Sequence, residues 1–279
     1  MTQETVPALT SAEAPTVRDR AVGLRVSGVD KIYPTRRGEV HALSGIDLDI
    51  GRGEFVSLVG RSGCGKTTLL RILSGLLAPT AGTVEAGGRS AWVSGHRNDA
   101  VFAEFGLVFQ EANLFPWFTV ADNIALPLKL RGVGKAQRRA RAVELCGTVG
   151  LSGFEDSHPR ELSGGMRQRA AIARALACDP SVLLMDEPFG ALDAMTRDRM
   201  NLELQRIHAE SGATVVFVTH SITEAVFLAD RVVLLTPRPG RIRSITGIDL
   251  PRPRSAETEA SAEFGGIVRD LRTELDLED

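Results

Sequence analysis

The chain has 279 residues, 43% of them hydrophobic and 24% charged, with a net charge of −2. That length suits one large α/β domain carrying an inserted lobe, or two modest domains, and the composition is that of an ordinary globular fold. The near-neutral balance argues against bulk electrostatic binding to nucleic acid.

Residues 1–19 mix Thr, Glu, Ala and Pro without the basic-then-apolar order of a signal peptide, so a disordered tail is expected there. Leu24–Tyr33 and Val40–Ile50 are β-rich and split by the turn Pro34-Thr35-Arg36-Arg37-Gly38, which predicts a hairpin or meander. Glu54–Val59 is a short apolar run ending at a glycine, and Thr67, Leu69, Leu70, Ile72 and Leu73 follow with helical spacing. Gly82–Glu85 and Gly106–Phe109 are further strand candidates. Val120–Arg131, Gly134–Val149 and Met166–Ala177 read as helices, and the cluster Arg138, Arg139 and Arg141 as a solvated face. Then come a strand at Val182–Met185, a helix at Met195–Glu210, a strand at Thr214–Thr219, a helix at Thr223–Ala229 and a strand at Val232–Thr236.

This alternation implies a mostly parallel sheet covered on both faces. The stretch from about 111 to 177 interrupts it with helices alone and is expected to be an inserted lobe. After Pro251-Arg252-Pro253-Arg254 the composition shifts. Phe264, Ile267, Val268, Leu271 and Leu275 then fall at the spacing of an amphipathic helix, although Gly265 and Gly266 oppose it. No apolar run approaches the roughly 18 residues of a membrane span. Cys64, Cys146 and Cys178 lack metal or redox spacing, so a reducing compartment is the simpler reading. The expected location is the cytosol, with any membrane role supplied by a partner.

Gly60-Arg61-Ser62-Gly63-Cys64-Gly65-Lys66-Thr67, followed by Thr68, fits the phosphate-binding loop pattern. Glycines let successive N–H groups converge on one anion, and the next helix presents its positive end. Lys66 can neutralise the β- and γ-phosphates and the Thr67 hydroxyl can ligate Mg²⁺. The alternative is a chance glycine turn, which the strand–loop–helix context disfavours. Cys64 within the loop reads as a tolerated small residue. Val182–Met185 ends in Asp186-Glu187. At the C-terminal end of a parallel strand, Asp186 can hold the cation and Glu187 can polarise a water as general base. Without the phosphate loop the pair would read as solvated charges at a strand end. Leu162-Ser163-Gly164-Gly165-Met166 opens a helix with a natural N-cap and exposed N–H groups; it fits a second anion site and an ordinary cap equally well.

The last motif resembles the signature sequence of ABC (ATP-binding-cassette) transporters, with Met166 where Gln is commoner. The whole order resembles that family: phosphate loop, Gln110, signature, Asp186-Glu187, Ala191-Leu192-Asp193, His220, over about residues 24–248. The resemblance implies a P-loop NTPase (RecA-like) α/β core, an antiparallel β portion and the helical lobe at about 111–177, within an ATPase domain at 20–250 and a C-terminal segment at 251–279. It implies that Tyr33 stacks on adenine, that Gln110 sits near the γ-phosphate and Mg²⁺, that Asp193 lines a dimer interface, and that His220 contacts the γ-phosphate and positions Glu187. Singly, each has a plainer alternative as packing or a cap.

The family's working unit is a head-to-tail dimer, so a homodimer or paired cassette is implied. ATP would lie between one phosphate loop and the partner's Ser163, Gly164 and Gly165. Permease subunits in the membrane, with a solute-binding protein acting indirectly, would place the chain on the cytoplasmic face of the cell membrane. Asn113–Thr119 and Asp230–Gly240 resemble cassettes of nitrate, sulfonate and taurine importers, with pyrimidine-precursor importers similar. Ser90–Glu104, with Trp92, His96 and Phe102, departs from that pattern. A soluble ABC ATPase of DNA repair or translation would need a long insertion or a second cassette. A P-loop kinase would not need the signature or His220.

Overall fold

A computed structural model of the protein describes residues 22–36, 38–190 and 192–276. The tail expected at 1–19, Arg37 in the first turn and Ala191 lie outside them. Strands β1 (Val22–Thr35) and β2 (Gly38–Gly51) pair antiparallel as the expected hairpin. β3 (Phe55–Val59) follows, and the glycine loop leads into helix α1 (Lys66–Leu73). β4 (Ala81–Ala86) and β5 (Arg89–Ser90) complete a first sheet of order β2-β1-β4-β5. A small hairpin, β6 (Trp92–Val93) and β7 (His96–Arg97), and the single turn α2 (Asp99–Phe102) lead to β8 (Phe105–Val108).

Three helices come next with no strand between them: α3 (Val120–Leu130), α4 (Lys135–Thr148) and α5 (Gly164–Leu176). β9 (Val182–Asp186), α6 (Ala194–Ser211), β10 (Thr214–Val218), α7 (Ile222–Leu228) and β11 (Arg231–Leu235) restore the alternation. β12 (Ile242–Gly247), α8 (Ala256–Glu259) and α9 (Ala262–Asp276) close the described chain. The arginines of α4 do not form a merely solvated face: Arg139 pairs with Asp156 at 2.8 Å, and Arg141 with Glu144 at 2.6 Å and with Asp179.

The second sheet has the order β12-β11-β3-β10-β9-β8. Its strands are parallel except β12, an antiparallel edge. Every residue of β3 and β10 is buried, which is why these strands read as unbroken apolar runs. Alternate side chains serve different cores. Phe55, Val59, Val215 and Phe217 meet the helices on one face. Val56, Leu58, Val216 and Val218 meet α1 and the antiparallel sheet on the other. Both faces are covered as the sequence implies, and half of one cover is a second sheet.

Ser90–Glu104 forms an appendage on the end of α1. The Trp92 indole N–H donates to the Ile72 carbonyl at 3.3 Å, and its ring meets Phe102 edge-on at 5.7 Å. Phe102 packs on Gly75, where a β-carbon would lie 2.7 Å from the ring. α9 runs straight through Gly265 and Gly266. Burial of Phe264 and Leu271, with Ile267, Val268 and Leu275 packed alongside, outweighs the roughly 1 kcal/mol that each glycine costs a helix.

Arg254 ties this C-terminal segment to the core. Its guanidinium is buried and donates to the carbonyls of Val226 and Ala229 at 2.7 Å, at the end of α7, and to those of Ile248 at 3.1 Å and Leu250 at 3.3 Å. Burial pushes its pKa down to about 10, so it remains charged at neutral pH. Its backbone N–H and C=O are held by the amide of Gln205 at 2.5 and 2.9 Å. Arg254→Leu keeps apolar volume but orphans several buried carbonyls. It should lower the unfolding free energy by about 3–5 kcal/mol, measured by urea denaturation.

Candidate functional site

The site begins where β3 ends. Gly60 is enclosed: a β-carbon there would lie 2.7 Å from Cys64 Sγ and 2.9 Å from the Leu235 carbonyl. Gly63 and Gly65 have φ of +80° and +106°, and a β-carbon on Gly65 would lie 2.9 Å from the Ala42 carbonyl. Tight enclosure and left-handed backbone together require glycine at these positions. The loop curls onto the start of α1, whose first N–H groups have no helical acceptor and suit an anion. Cys64 points inward as a buried free thiol, the small packing residue expected.

Lys66 is buried, and its Nζ donates to the carbonyls of Gly60 at 2.7 Å and Arg61 at 3.2 Å. The Thr67 hydroxyl donates to Asp186 Oδ1 at 3.1 Å, linking α1 to the end of β9. Burial pushes the Asp186 carboxyl above its ordinary pKa, and the Thr67 hydrogen bond opposes the shift. Paired hard oxygens around a desolvated carboxylate fit Mg²⁺. Among the described residues no cluster of three or more His, Cys, Asp or Glu could hold a metal. A cation here would therefore take its remaining ligands from phosphate and water.

Glu187, at φ +45°, turns the chain out of β9, with its N–H held by the Val218 carbonyl at 2.9 Å. Its Oε2 lies 3.5 Å from Nδ1 of His220, which follows the adjacent strand β10 and is 60% exposed. Parallel pairing puts Asp186 beside Val218, so the two strand ends deliver Glu187 and His220 to one edge.

A network behind His220 was not visible in the sequence. The Thr219 hydroxyl donates to the Glu224 carboxylate and accepts from the Ser221 N–H at 3.0 Å, while Ser221 Oγ accepts from the Glu224 N–H at 3.2 Å. Glu224 is buried, and its Oε1 has no hydrogen-bond partner among the described residues. Burial pushes its carboxyl above the usual range, opposed by the Thr219 hydrogen bond.

The cleft, about 330 Å³, is lined by Tyr33, Val40 and Ala42, by Ser62, Gly63 and Gly65–Thr68 of the loop and α1, and by Glu187 and His220. Tyr33 is half-buried, with Lys31 Nζ 5.3 Å from its ring centre. Arg238 also faces the cleft. It lies within Asp230–Gly240, the stretch that resembles importer cassettes, but nothing in the sequence marked it as a site residue; Val40 and Ala42 were likewise visible only as strand residues.

Other expected site residues stand apart. Gln110 follows β8 and is exposed; its amide lies nearer Gly190, where a β-carbon would sit 3.5 Å from Nε2. Ser163 caps α5, its Oγ accepting from the Met166 N–H at 3.2 Å. It does not line this cleft, nor do Gly164 and Gly165. Gly165 packs on α6, where a β-carbon would lie 2.7 Å from Thr196 Cγ2. Asp193 caps α6: the Thr196 N–H donates to it at 2.9 Å and the Thr196 hydroxyl at 2.7 Å. These bonds hold its carboxyl below the usual range.

A parallel sheet with a phosphate loop at the end of the central strand β3, and paired carboxylates at the end of β9, one strand beyond β10, defines a P-loop nucleotide-binding protein. The family description "ABC transporter" matches residues 43–190. An uncharacterized ABC transporter ATP-binding protein of Methanocaldococcus jannaschii is 50% identical over 85% of this chain and 86% of its own length. The nitrate import ATP-binding protein of Synechocystis sp. is 46% identical over 82% of this chain and 83% of its own. The taurine import ATP-binding protein of Burkholderia thailandensis is 46% identical over 82% and 85%. A solved ATP-binding cassette, captured as a dimer in a post-hydrolysis state bound to ADP and Pi, is 34% identical. It covers 82% of this chain and 100% of its own, with a TM-score of 0.72. The chain belongs to the ABC transporter family, as an ATP-binding subunit.

Glu224 offers a test of the network behind His220. Its folded pKa is raised, so the folded state holds more protons than the unfolded chain between the ordinary carboxylate pKa and the raised value. The stability it contributes is present below the ordinary range and lost as pH rises through the raised value. Glu224→Gln has no charge to desolvate. Its unfolding free energy, measured by urea denaturation from pH 4 to pH 8, should gain on that of the wild type as pH rises.

Proposed function

We propose that the protein hydrolyses ATP as the motor subunit of an importer for a small anionic solute, working as a dimer on the cytoplasmic face of the membrane. The observation that carries the hydrolytic reading is the placement of Glu187 and His220, 3.5 Å apart at the ends of adjacent parallel strands, in the same cleft as Lys66 and Thr67. Lys66 exchanges the carbonyls of Gly60 and Arg61 for the β- and γ-phosphates. Tyr33 closes the other end of the cleft against adenine. Glu187 takes a proton from the attacking water while His220 orients its carboxylate. Thr67 and Asp186, with Gln110, would hold Mg²⁺, which would supply neutralisation of the phosphate charge.

The exposed Ser163 and Gly164, outside the chain's own cleft, support completion of the site by a second cassette. In that arrangement the cap of α5 faces the partner's γ-phosphate and Asp193 lies at the interface. The import reading follows the nitrate and taurine cassettes above, together with one third of a longer bicarbonate transport ATP-binding protein of Synechococcus elongatus, 48% identical over 82% of this chain and 34% of its own length. Nitrate, bicarbonate and taurine all carry an oxyanion group. Among the described residues no helix is long and apolar enough to cross a membrane, so transport requires permease subunits, to which a solute-binding protein would deliver the solute.

Glu187→Gln keeps size and hydrogen bonding but removes the base. It should bind ATP as the wild type does, while turnover falls by about 10² or more. Binding and phosphate release measured on one preparation decide this, and near-normal turnover removes Glu187 from the role.

The permease contact is assigned to the aromatic cluster after Gln110. Trp117 is 68% exposed and Phe115 38%, with ring centres 5.5 Å apart, whereas Leu114 packs against the core. Such rings suit a short amphipathic helix of the permease. Trp117→Ala should leave the melting temperature of the isolated subunit unchanged. It should weaken permease association by about 2 kcal/mol, read by co-purification and by binding titration of the solubilised permease.

A further inference from the structure

We propose that Arg238 is a second phosphate-binding cation of the nucleotide site, delivered by the loop between β11 and β12. The inference rests on the ATP-binding reading of the cleft and adds a residue outside the phosphate loop, the signature and the carboxylate pair.

The loop is clamped onto β2, hard against the phosphate loop. The Gly240 N–H donates to the Ala42 carbonyl at 3.0 Å, and the Ser44 N–H donates to the Gly240 carbonyl at 2.9 Å. A β-carbon at Gly240 would lie 2.0 Å from the Cys64 carbonyl, so only glycine permits this approach. Within the loop, the Thr236 hydroxyl donates to the Pro239 carbonyl at 3.2 Å and accepts from the Arg241 N–H at 3.0 Å. Arg238 thus stands on a fixed base, and rigid placement lowers the ordering cost of any contact it makes.

Its guanidinium lies over Gly63, inside the lining of the cleft. Nη2 is 3.4 Å from the Gly63 carbonyl, and a β-carbon at Gly63 would be 3.8 Å from the same nitrogen. Lys66, the cation of the motif, is likewise held on carbonyls of this loop. Two cations on neutral carbonyls of one anion-binding loop share one chemistry: exchange of a carbonyl for a phosphate oxygen gives a stronger, charge-assisted hydrogen bond. The 3.4 Å bond is long and weak, so Arg238 gives up little in the exchange. A guanidinium fork also suits the paired oxygens of a phosphate better than the edge of a base.

The test is calorimetric titration of the full-length protein with ADP, adenylyl imidodiphosphate and guanylyl imidodiphosphate at two salt concentrations. Arg238→Ala should raise Kd for all three by on the order of 10-fold and flatten the salt dependence. Arg238→Lys, which keeps the charge but not the fork, should recover part of the loss and serves as the variant if the alanine form fails to fold. The melting temperature without nucleotide should not move. A Kd within twofold of wild type overturns the proposal, as does a loss confined to the adenine nucleotides, which would make Arg238 a reader of the base. Lys66→Ala serves as control: if it too leaves Kd unchanged, the cleft is not the nucleotide site; if it weakens binding and Arg238→Ala does not, only the role of Arg238 falls.

Discussion

The parallel pairing of β3, β10, β9 and β8 is the constraint on which the site depends. In a parallel sheet every C-terminal strand end opens on the same edge, so one hydrogen-bonded register collects the chain at Gly60, Asp186, Glu187, Gln110 and His220. These residues are far apart in sequence, and a side-chain contact could not hold them together at this spacing. The backbone ladder does so because its central strands β3 and β10 are buried on both faces. Alternate residues are committed to separate cores, so a slip of one residue would exchange the two sets and expose neither face to water. The register is fixed by shape and packing rather than by polarity.

A site on such an edge carries unfavourable groups. Asp186 and Glu224 are carboxylates pushed up by burial, Lys66 is a buried ammonium held by carbonyls, and Glu187 adopts a left-handed backbone. Each is a cost that an inert fold would shed. The two cores flanking the sheet offset these costs, and on the proposed reading a magnesium nucleotide would relieve several at once by giving Lys66 and Asp186 opposite charges. The stability of the protein is thereby coupled to occupancy.

The helices at 120–176 have a separate role from the sheet. α5 presents a capped N-terminus at Ser163, the segment after Gln110 presents a ring cluster, and neither lines the chain's own cleft. The surfaces suited to partners therefore lie on helices and loops, and the candidate catalytic pair Glu187 and His220 lies at strand ends. Movement of one relative to the other would alter partner contacts without disturbing the ladder, as a rigid-body switch requires.

Much of the site was legible in the sequence because its chemistry is local. Gly60–Thr67 encodes a loop, an anion-binding helix end and a cation within eight consecutive residues, and Asp186-Glu187 ends an apolar run that could only be a buried strand. The strands and long helices were equally open to reading, since burial on both faces or on one stripe leaves a periodic record. Some features left no such record. Arg238 reaches the cleft only because Gly240 packs on Cys64, and Arg254 caps α7 from a different segment. The helix through Gly265 and Gly266 forms against its own propensity because the core accepts Phe264 and Leu271. The sequence by itself determined which residues could bind phosphate and which strands would be buried, because those properties depend on neighbours in the chain. Tertiary structure alone decided which distant side chains share the cleft, because that depends on close approach between segments whose spacing in sequence carries no period.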